Sequence, residues 1–294
     1  RGFIHEKGRK IQRYWCKDCR KTFVQDFGFK KMKNDPKAIT AALDAYFRGL
    51  SLRDVRDHLA QFYGVDVNQT TILRWVEKYS KVISEYVNTL APQLSDTWHA
   101  DEVFVNMRGG EVARGGVDRK NLTNIGYLWN VMDRKTRFLL TSKLTKGRDS
   151  IAAETVLTEA VENAHHSEPE RLLTDSLASY AIAIPNVPFW SDPEHIAKAG
   201  MGKPHANNNR IERLNGTVRE RTKVQRGWKS IQSAVPEGHR IFYNFVRPHM
   251  ALGEQTPAQA AGIGLGVGGN KWMELITKAH AQKTQPEEGP DTHE

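Results

Sequence analysis

The sequence is poor in cysteine: Cys16 and Cys19 are the only two in 294 residues. Two thiols exclude a disulfide-rich scaffold, and their Cys-x-x-Cys spacing points to metal or redox use in a reducing compartment. No run of about 18 apolar residues occurs, which excludes a membrane-spanning helix. No basic start leads into an apolar run and a small-residue cleavage site, so secretion is not expected and the chain reads as cytoplasmic. No internal repeat is visible. Acidic residues are in deficit, with 34 Asp and Glu against 43 Lys and Arg, a formal net charge of +9. What is present suffices for a core: 39% hydrophobic and 9% aromatic residues argue against wholesale disorder. The length suggests about two or three domains.

The positive charge is concentrated. Residues 1–40 carry twelve Lys and Arg against four Asp and Glu, a net of +8. Residues 202–247 carry ten against three, a net of +7. Two basic blocks on an otherwise mildly acidic chain look like two surfaces for a polyanion.

Residues 1–34 are short, basic and aromatic. In RYWCKDCRKTF (13–23) the two cysteines have the spacing of a zinc knuckle, which supplies two of four tetrahedral ligands. The segment reads as the second half of a zinc ribbon whose first cysteine pair lies upstream of Arg1. A redox dithiol is the rival, but no βαβ pattern surrounds it.

Residues 35–90 read as a helical domain, in which 37–79 divide into three helical runs. The first, KAITAALDAYFRG, is closed by Gly49. Ser51 opens the second, with Asp54 three residues on in a capping-box pattern. Gly64 ends it, and Asn68 or Thr70 caps the third. Two short helices about a Gly-containing turn, the second beginning with polar residues, fit a helix-turn-helix. Gln69, Thr70 and Arg74 are the candidates for base-edge contacts.

The remainder alternates between strand and helix patterns. TWHADEVFVNMRG (97–109) puts His99, Asp101, Val103 and Val105 on one face and Trp98, Glu102 and Phe104 on the other. A Gly/Arg-rich loop follows, then two strands about a turn at DRKT within 125–145, then a helix over 148–166. Residues 171–190 read as strand, short helix and strand, and 207–248 as helical. An α/β domain around a mixed sheet is expected over 91–262. Residues 263–294 read as a C-terminal tail, partly disordered, in which 271–279 can make one short helix.

Three acids stand in unusual settings. Asp101 is mid-strand among apolar neighbours, Asp175 follows Leu172 and Leu173, and Glu212 lies in the basic helix NNNRIERLNGTVRERTK. A lone strand acid is usually structural, but phosphoryl transfer needs such a set. Hard Mg²⁺ or Mn²⁺ ions prefer carboxylate oxygens, and two of them stabilise the attacking and leaving oxygens of an in-line displacement.

WHADEVFVNMRGG, YLWNVMDRKTRFLL, TDSLASY, NNNRIERLNGTVRERTK and FVRPHMALGEQTPAQAAG, in that order, resemble the DDE transposases of insertion sequences, most closely the family typified by insertion sequence six. The resemblance runs from about residue 13 to 262. It implies a ribonuclease H-like catalytic domain with the triad Asp101, Asp175 and Glu212, and two Mg²⁺ or Mn²⁺ ions. Thirty-six residues separate the last two acids, slightly more than the family usually has, which suggests an insertion near 184–200. The family's basic residue seven positions after its glutamate falls on Arg219. Arg219 and Lys223 would hold DNA phosphates, with His205, Asn209 and Arg213 as weaker candidates. The implied activity is cleavage at terminal inverted repeats and strand transfer to target DNA, by a homodimer or larger assembly, in a prokaryotic cytoplasm at the nucleoid. Zinc at Cys16 and Cys19 would need the upstream pair. The rival reading is a DNA-binding protein without catalysis, either a repressor or a decayed transposase. A retroviral-type integrase or another ribonuclease H-like nuclease is a third reading, against which the helix-turn-helix and RPHMAL motifs speak.

Overall fold

The computed structural model describes residues 2–6, 9–108, 124–197, 208–266 and 269–284. The Gly/Arg-rich loop from 109 onward and His205 lie outside them. Three short strands come first: β1 (Gly2–Glu6), β2 (Arg9–Trp15) and β3 (Thr22–Val24), in one antiparallel sheet. Its aromatics are outward: Phe3, Tyr14, Trp15 and Phe23 are exposed, and Tyr14 stacks on Phe23 at 5.7 Å. The turn from β2 to β3 carries both cysteines, closed by the Cys16 N–H donating to Lys21 O at 2.9 Å.

Three helices follow where the capping signals put them. Helix α1 (Pro36–Arg48) is capped by Asp35, begins with proline and ends at Gly49, whose φ of 112° suits glycine. Helix α2 (Leu52–Tyr63) opens with the Ser51–Asp54 capping box and ends at left-handed Gly64. Helix α3 (Gln69–Val87) is capped by Asn68 and buries Ile72, Trp75, Val76, Tyr79, Ile83 and Val87 along one face.

The central sheet has five strands: β4 (Thr97–Asn106), β5 (Ile125–Asp133), β6 (Leu139–Thr145), β7 (Arg171–Leu173) and β8 (Glu194–Ile196). Their spatial order is β6-β5-β4-β7-β8. The pairs β4–β5 and β5–β6 are antiparallel, and β4–β7 and β7–β8 are parallel. Three antiparallel strands extended by two parallel ones, with helices on both faces, make the mixed α/β sheet expected for this region. The second strand expected within 171–190 instead lies beyond that range, at 194–196. It is three polar-rich residues long, and its register comes from β7 rather than from its own pattern.

Helix α4 (Ser150–Asn163) packs on β5 and β6 and carries α5 (Ala178–Ala183) beside it. Helix α6 (Asn209–Gln225) crosses β4. Helix α7 (Val235–Ile241) packs between β6 and α3, and the short α8 (Pro257–Ala260) follows. Helix α9 (Lys271–Thr284), longer than the expected 271–279, buries Trp272, Leu275, Ile276 and Ala279 against α1 and α3. The early helices therefore share one core with the late ones. Phe47 of α1 stacks on Trp272 at 5.5 Å, and Gly238 of α7 lets it close in: a Cβ there would stand 2.1 Å from Phe47 Cζ. No described helix is long and apolar enough to cross a membrane.

Candidate active site

The parallel pairing of β4 with β7 is brief. It runs from Thr97 opposite Arg171 to His99 opposite Leu173, and then β7 ends. Strand β4 continues to Asn106 paired with β5, and β7 follows it no further. Asp101 and Glu102 therefore lie where two parallel strands part at their carboxyl ends, the place where α/β sheets open a ligand crevice. Asp175, two residues past β7, turns into the same gap, its Oδ1 accepting from the Leu177 N–H at 2.9 Å. One carboxylate oxygen from each of Asp101, Glu102 and Asp175 lies within 4.8 Å of the others. Among the described residues this is the one group of three or more His, Cys, Asp or Glu side chains close enough to share a metal ion.

The surroundings of the three differ. Asp101 is half-buried on the face covered by α6. Its Oδ1 accepts from the Glu102 N–H at 3.0 Å and its Oδ2 from Asn215 Nδ2 at 2.8 Å. Burial first, and then the charges of Glu102 and Asp175, push its carboxyl up to about 7. Glu102 points to the opposite face, as strand alternation requires, and its side chain is 1% exposed. Arg148 Nε donates to Glu102 Oε1 at 2.5 Å, and Tyr180 Oη donates to Oε2 at 3.1 Å. Burial raises the Glu102 carboxyl while Arg148 opposes the rise. The Arg148 guanidinium also reaches Asp175 Oδ2 at 3.4 Å and lies 5.7 Å from the Phe104 ring centroid.

Glu212 is not part of this group. It is exposed in the first turn of α6, and about 60° of helix rotation separates it from Asn215. Arg219 is exposed two turns on, on the Glu212 side, and Arg213 and Lys223 are exposed as well. The start of α6 is tied to β4 by His99, whose Nδ1 lies 2.7 Å from Asn208 Oδ1. Burial pushes the His99 imidazole down to about 4, so the ring is neutral.

In the helix-turn-helix, Thr70 and Arg74 are exposed and Gln69 is half-buried. The Thr70 N–H and hydroxyl both donate to Asn68 Oδ1, at 2.9 and 2.5 Å, so its side chain is engaged in the cap. Gln69 lines a cleft of about 680 Å³ together with Arg53, Lys223 and Arg226, which brings the start of α3 and the end of α6 to one place. In the cysteine turn, the backbone N–H groups of Cys19 and Asp18 hold the Cys16 thiol below its usual range.

Sequence reasoning missed Glu102, Arg148, Tyr180 and Asn215. The first carried a signal, a carboxylate at an inward strand position. Asn215 carried another, since α6 buries Ile211, Leu214, Asn215, Val218 and Thr222, and an asparagine on that face needs a partner. Arg148 and Tyr180 carried none.

A family model described as a DDE domain, DDE_Tnp_IS240, matches residues 95–249. The chain belongs to this DDE family. The match takes in Asp101, Asp175 and Glu212, and it bears out the resemblance to insertion-sequence transposases. Among similar proteins is the transposase for insertion sequence-like element IS431mec of Staphylococcus aureus strain Mu50, 25% identical over 162 residues, which are 55% of this chain and 63% of that one. The transposase for insertion sequence element IS257 in transposon Tn4003 of Staphylococcus aureus is similar to the same extent, 25% identical over 55% of this chain and 63% of its own length. The chain thus spans 63% of the length of these curated relatives. Among solved structures, the simian T-cell lymphotropic virus intasome in complex with PP2A regulatory subunit B56 gamma matches with a TM-score of 0.40 at 13% identity, over 75% of this chain and 74% of that one. A pre-cleavage Mos1 transpososome matches with a TM-score of 0.32 at 13% identity, over 90% and 83%. Both likenesses are too remote to carry weight in the argument.

Proposed function

We propose that this chain is the transposase of an insertion sequence. It cuts DNA at the element's terminal inverted repeats and joins the freed ends to target DNA, using divalent cations held by Asp101 and Asp175 and completed by Glu212. The observation that carries this reading is Asp101 itself. It is a half-buried carboxylate beside Asp175, in a chain of the DDE family, and among the described residues its oxygens accept from a backbone amide and an asparagine, both neutral. The fit to a metal ion is chemical. The group offers only carboxylate oxygens, which suit Mg²⁺ or Mn²⁺, and the raised Asp101 carboxyl marks negative charge that a cation relieves. Two such ions, when bound, supply charge stabilisation at the attacking and leaving oxygens of the phosphodiester.

The chain's own residues do the rest. Asp101 and Asp175 hold the cations at the sheet's opening. Glu212 joins them from α6 through its exposed side chain. Arg213, Arg219 and Lys223 grip phosphates and position the strand without reading it. Gln69, Thr70 and Arg74 meet base edges from α3. The shared cleft of Gln69 and Lys223 supports one continuous DNA path from end recognition (residues 1–90) to catalysis (residues 91–262). The Cys16–Cys19 turn would hold zinc with a second cysteine pair, since it offers only half a tetrahedral site. The working form is a homodimer or larger assembly on two DNA ends, acting in the cytoplasm at the nucleoid.

The test is strand transfer by purified protein on a labelled duplex with candidate element ends, in Mg²⁺, Mn²⁺ and EDTA. Asp101→Ala, Asp175→Ala and Glu212→Ala should each abolish metal-dependent joining while DNA binding persists. Binding with no cleavage in wild type would replace the transposase by a repressor or decayed element. Normal joining by Glu212→Ala would remove Glu212 from the site.

A further inference from the structure

A line of buried polar side chains crosses the sheet and ends on Asp101. Ser142 of β6 donates its hydroxyl to Asn130 Oδ1 at 2.8 Å. Asn130 of β5 donates from Nδ2 to Asn215 Oδ1 at 2.8 Å. Asn215 of α6 donates from Nδ2 to Asp101 Oδ2 at 2.8 Å. Ser142, Asn130 and Asn215 are 3%, 0% and 1% exposed, so none of them has water as an alternative partner.

With Asp101 ionised, as it must be to hold a cation, the direction of the line is set. An ionised carboxylate only accepts, so Asn215 must turn its NH₂ towards Asp101 and its oxygen towards Asn130. Asn130 must then present its own NH₂, which leaves its oxygen for the one hydroxyl within reach. Each amide has a single orientation that satisfies both neighbours, and reversing any one leaves buried donors or acceptors facing their like.

We propose that Asn215 is a positioning residue of the active site: through the ladder from Ser142 and Asn130 it fixes the carboxylate of Asp101 and docks α6 at the register that brings Glu212 to the metal. The placement of Glu212 supports this. It lies between two anchors of α6 on β4, four residues after Asn208, which faces His99, and three before Asn215, which holds Asp101. The helix backbone is thereby pinned to β4 on both sides of Glu212. The inference rests on the proposed metal-dependent reading.

The test compares wild type with Asn215→Leu, which keeps the branched outline and removes the donor, and with Asn130→Ala, which removes the amide that Asn215 accepts from at the position opposite Asp101 on β5. Mn²⁺ affinity is measured by titration calorimetry without DNA, and α6 amide protection by hydrogen exchange. Circular dichroism and DNA binding show that each variant is folded. Partners that orient a metal ligand cost about 10–100-fold in affinity when removed, so Asn215→Leu should weaken Mn²⁺ binding about tenfold or more. Asn130→Ala should weaken it by a smaller factor, and α6 amides should exchange faster in both. A merely structural asparagine would lower the melting temperature and leave the Mn²⁺ affinity of the folded protein unchanged, which overturns the proposal. A loss in Asn215→Leu with wild-type behaviour in Asn130→Ala overturns the ladder. Should Asn215→Leu fail to fold, Asn130→Ala decides alone. If wild type binds no Mn²⁺, the transposase reading falls, and the docking role is judged by exchange: unchanged α6 protection in the folded variants overturns it too.

Discussion

Asp101 and Glu102 are consecutive on β4 and carry the same charge, but the fold treats them in opposite ways. Glu102 is the more buried of the two and is balanced internally, by the guanidinium of Arg148 and the hydroxyl of Tyr180. Among the described residues, Asp101 receives neutral hydrogen bonds, from a backbone amide and from Asn215. Under the proposed function, a cation from outside takes at Asp101 the place that Arg148 takes at Glu102. Burial alone does not mark a functional acid. What separates the two neighbours is the partner: Glu102 faces the Arg148 guanidinium, whereas Asp101 faces the neutral amide of Asn215.

The largest effect should come from cancelling the unbalanced member. Asp101→Asn keeps the shape and an acceptor for Asn215 but removes the charge. Strand transfer should fall by at least about 10³-fold, the scale on which loss of an active-site electrostatic group acts. Stability should move the other way. The Asp101 carboxyl is raised from 3.8 to about 7, so the folded state holds the proton more tightly than the unfolded state. Ionisation therefore costs stability, and metal-free protein should become less stable as pH rises across that window. In EDTA, melting temperatures across the window should fall less steeply for Asp101→Asn than for wild type. Equal slopes would mean that Asp101 is not the strained charge.

The balanced side should break by loss of fold. Arg148→Gln leaves Glu102 buried with one neutral donor. Breaking a fully buried pair costs about 3–5 kcal/mol, and because the Arg148 side chain is 33% exposed the figure here should be nearer about 2 kcal/mol. Urea unfolding reads it, and Arg148→Gln combined with Glu102→Gln should recover at least half of the loss. An unchanged unfolding midpoint in Arg148→Gln would erase the contrast between the two acids.

How much of this could be read from the sequence depends on how far each interaction reaches along the chain. The caps at Ser51 with Asp54, Asn68, Gly49 and Gly64 were legible because each acts within a few residues of itself. The alternation of β4 correctly put Asp101 and Glu102 on opposite faces, because period two is a property of one strand. Their different fates were not legible. Arg148 is 46 residues from Glu102, Tyr180 is 78 away, and Asn215 is 114 from Asp101. Only the folded sheet and the docking of α5 and α6 bring them together. Helix α9 is an intermediate case. Trp272, Leu275, Ile276 and Ala279 have helical spacing, but the glycine-rich GIGLGVGGN before them suggested a tail, and their partners on α1 and α3 lie near the other end of the chain.

The smallest effect sharpens the contrast by separating charge from hydrogen bonding on the balanced side. Tyr180→Phe removes one hydroxyl donor from Glu102 Oε2 and leaves Arg148 in place. The ring stays packed edge-on to Trp129, at 5.6 Å between centroids, so no cavity opens. The loss should be about 1 kcal/mol, that of one hydrogen bond to a group whose charge is still matched. If that much is felt at the opening between β4 and β7, strand transfer falls by less than about tenfold. A loss as large as that of Arg148→Gln would mean that the phenol, rather than the guanidinium, holds Glu102 in place. The balance would then be one of hydrogen bonds and not of charge. Equal stability of Tyr180→Phe and wild type would leave Arg148 as the sole counterweight to Glu102, and the difference between the two neighbouring acids would reduce to the presence or absence of one cation.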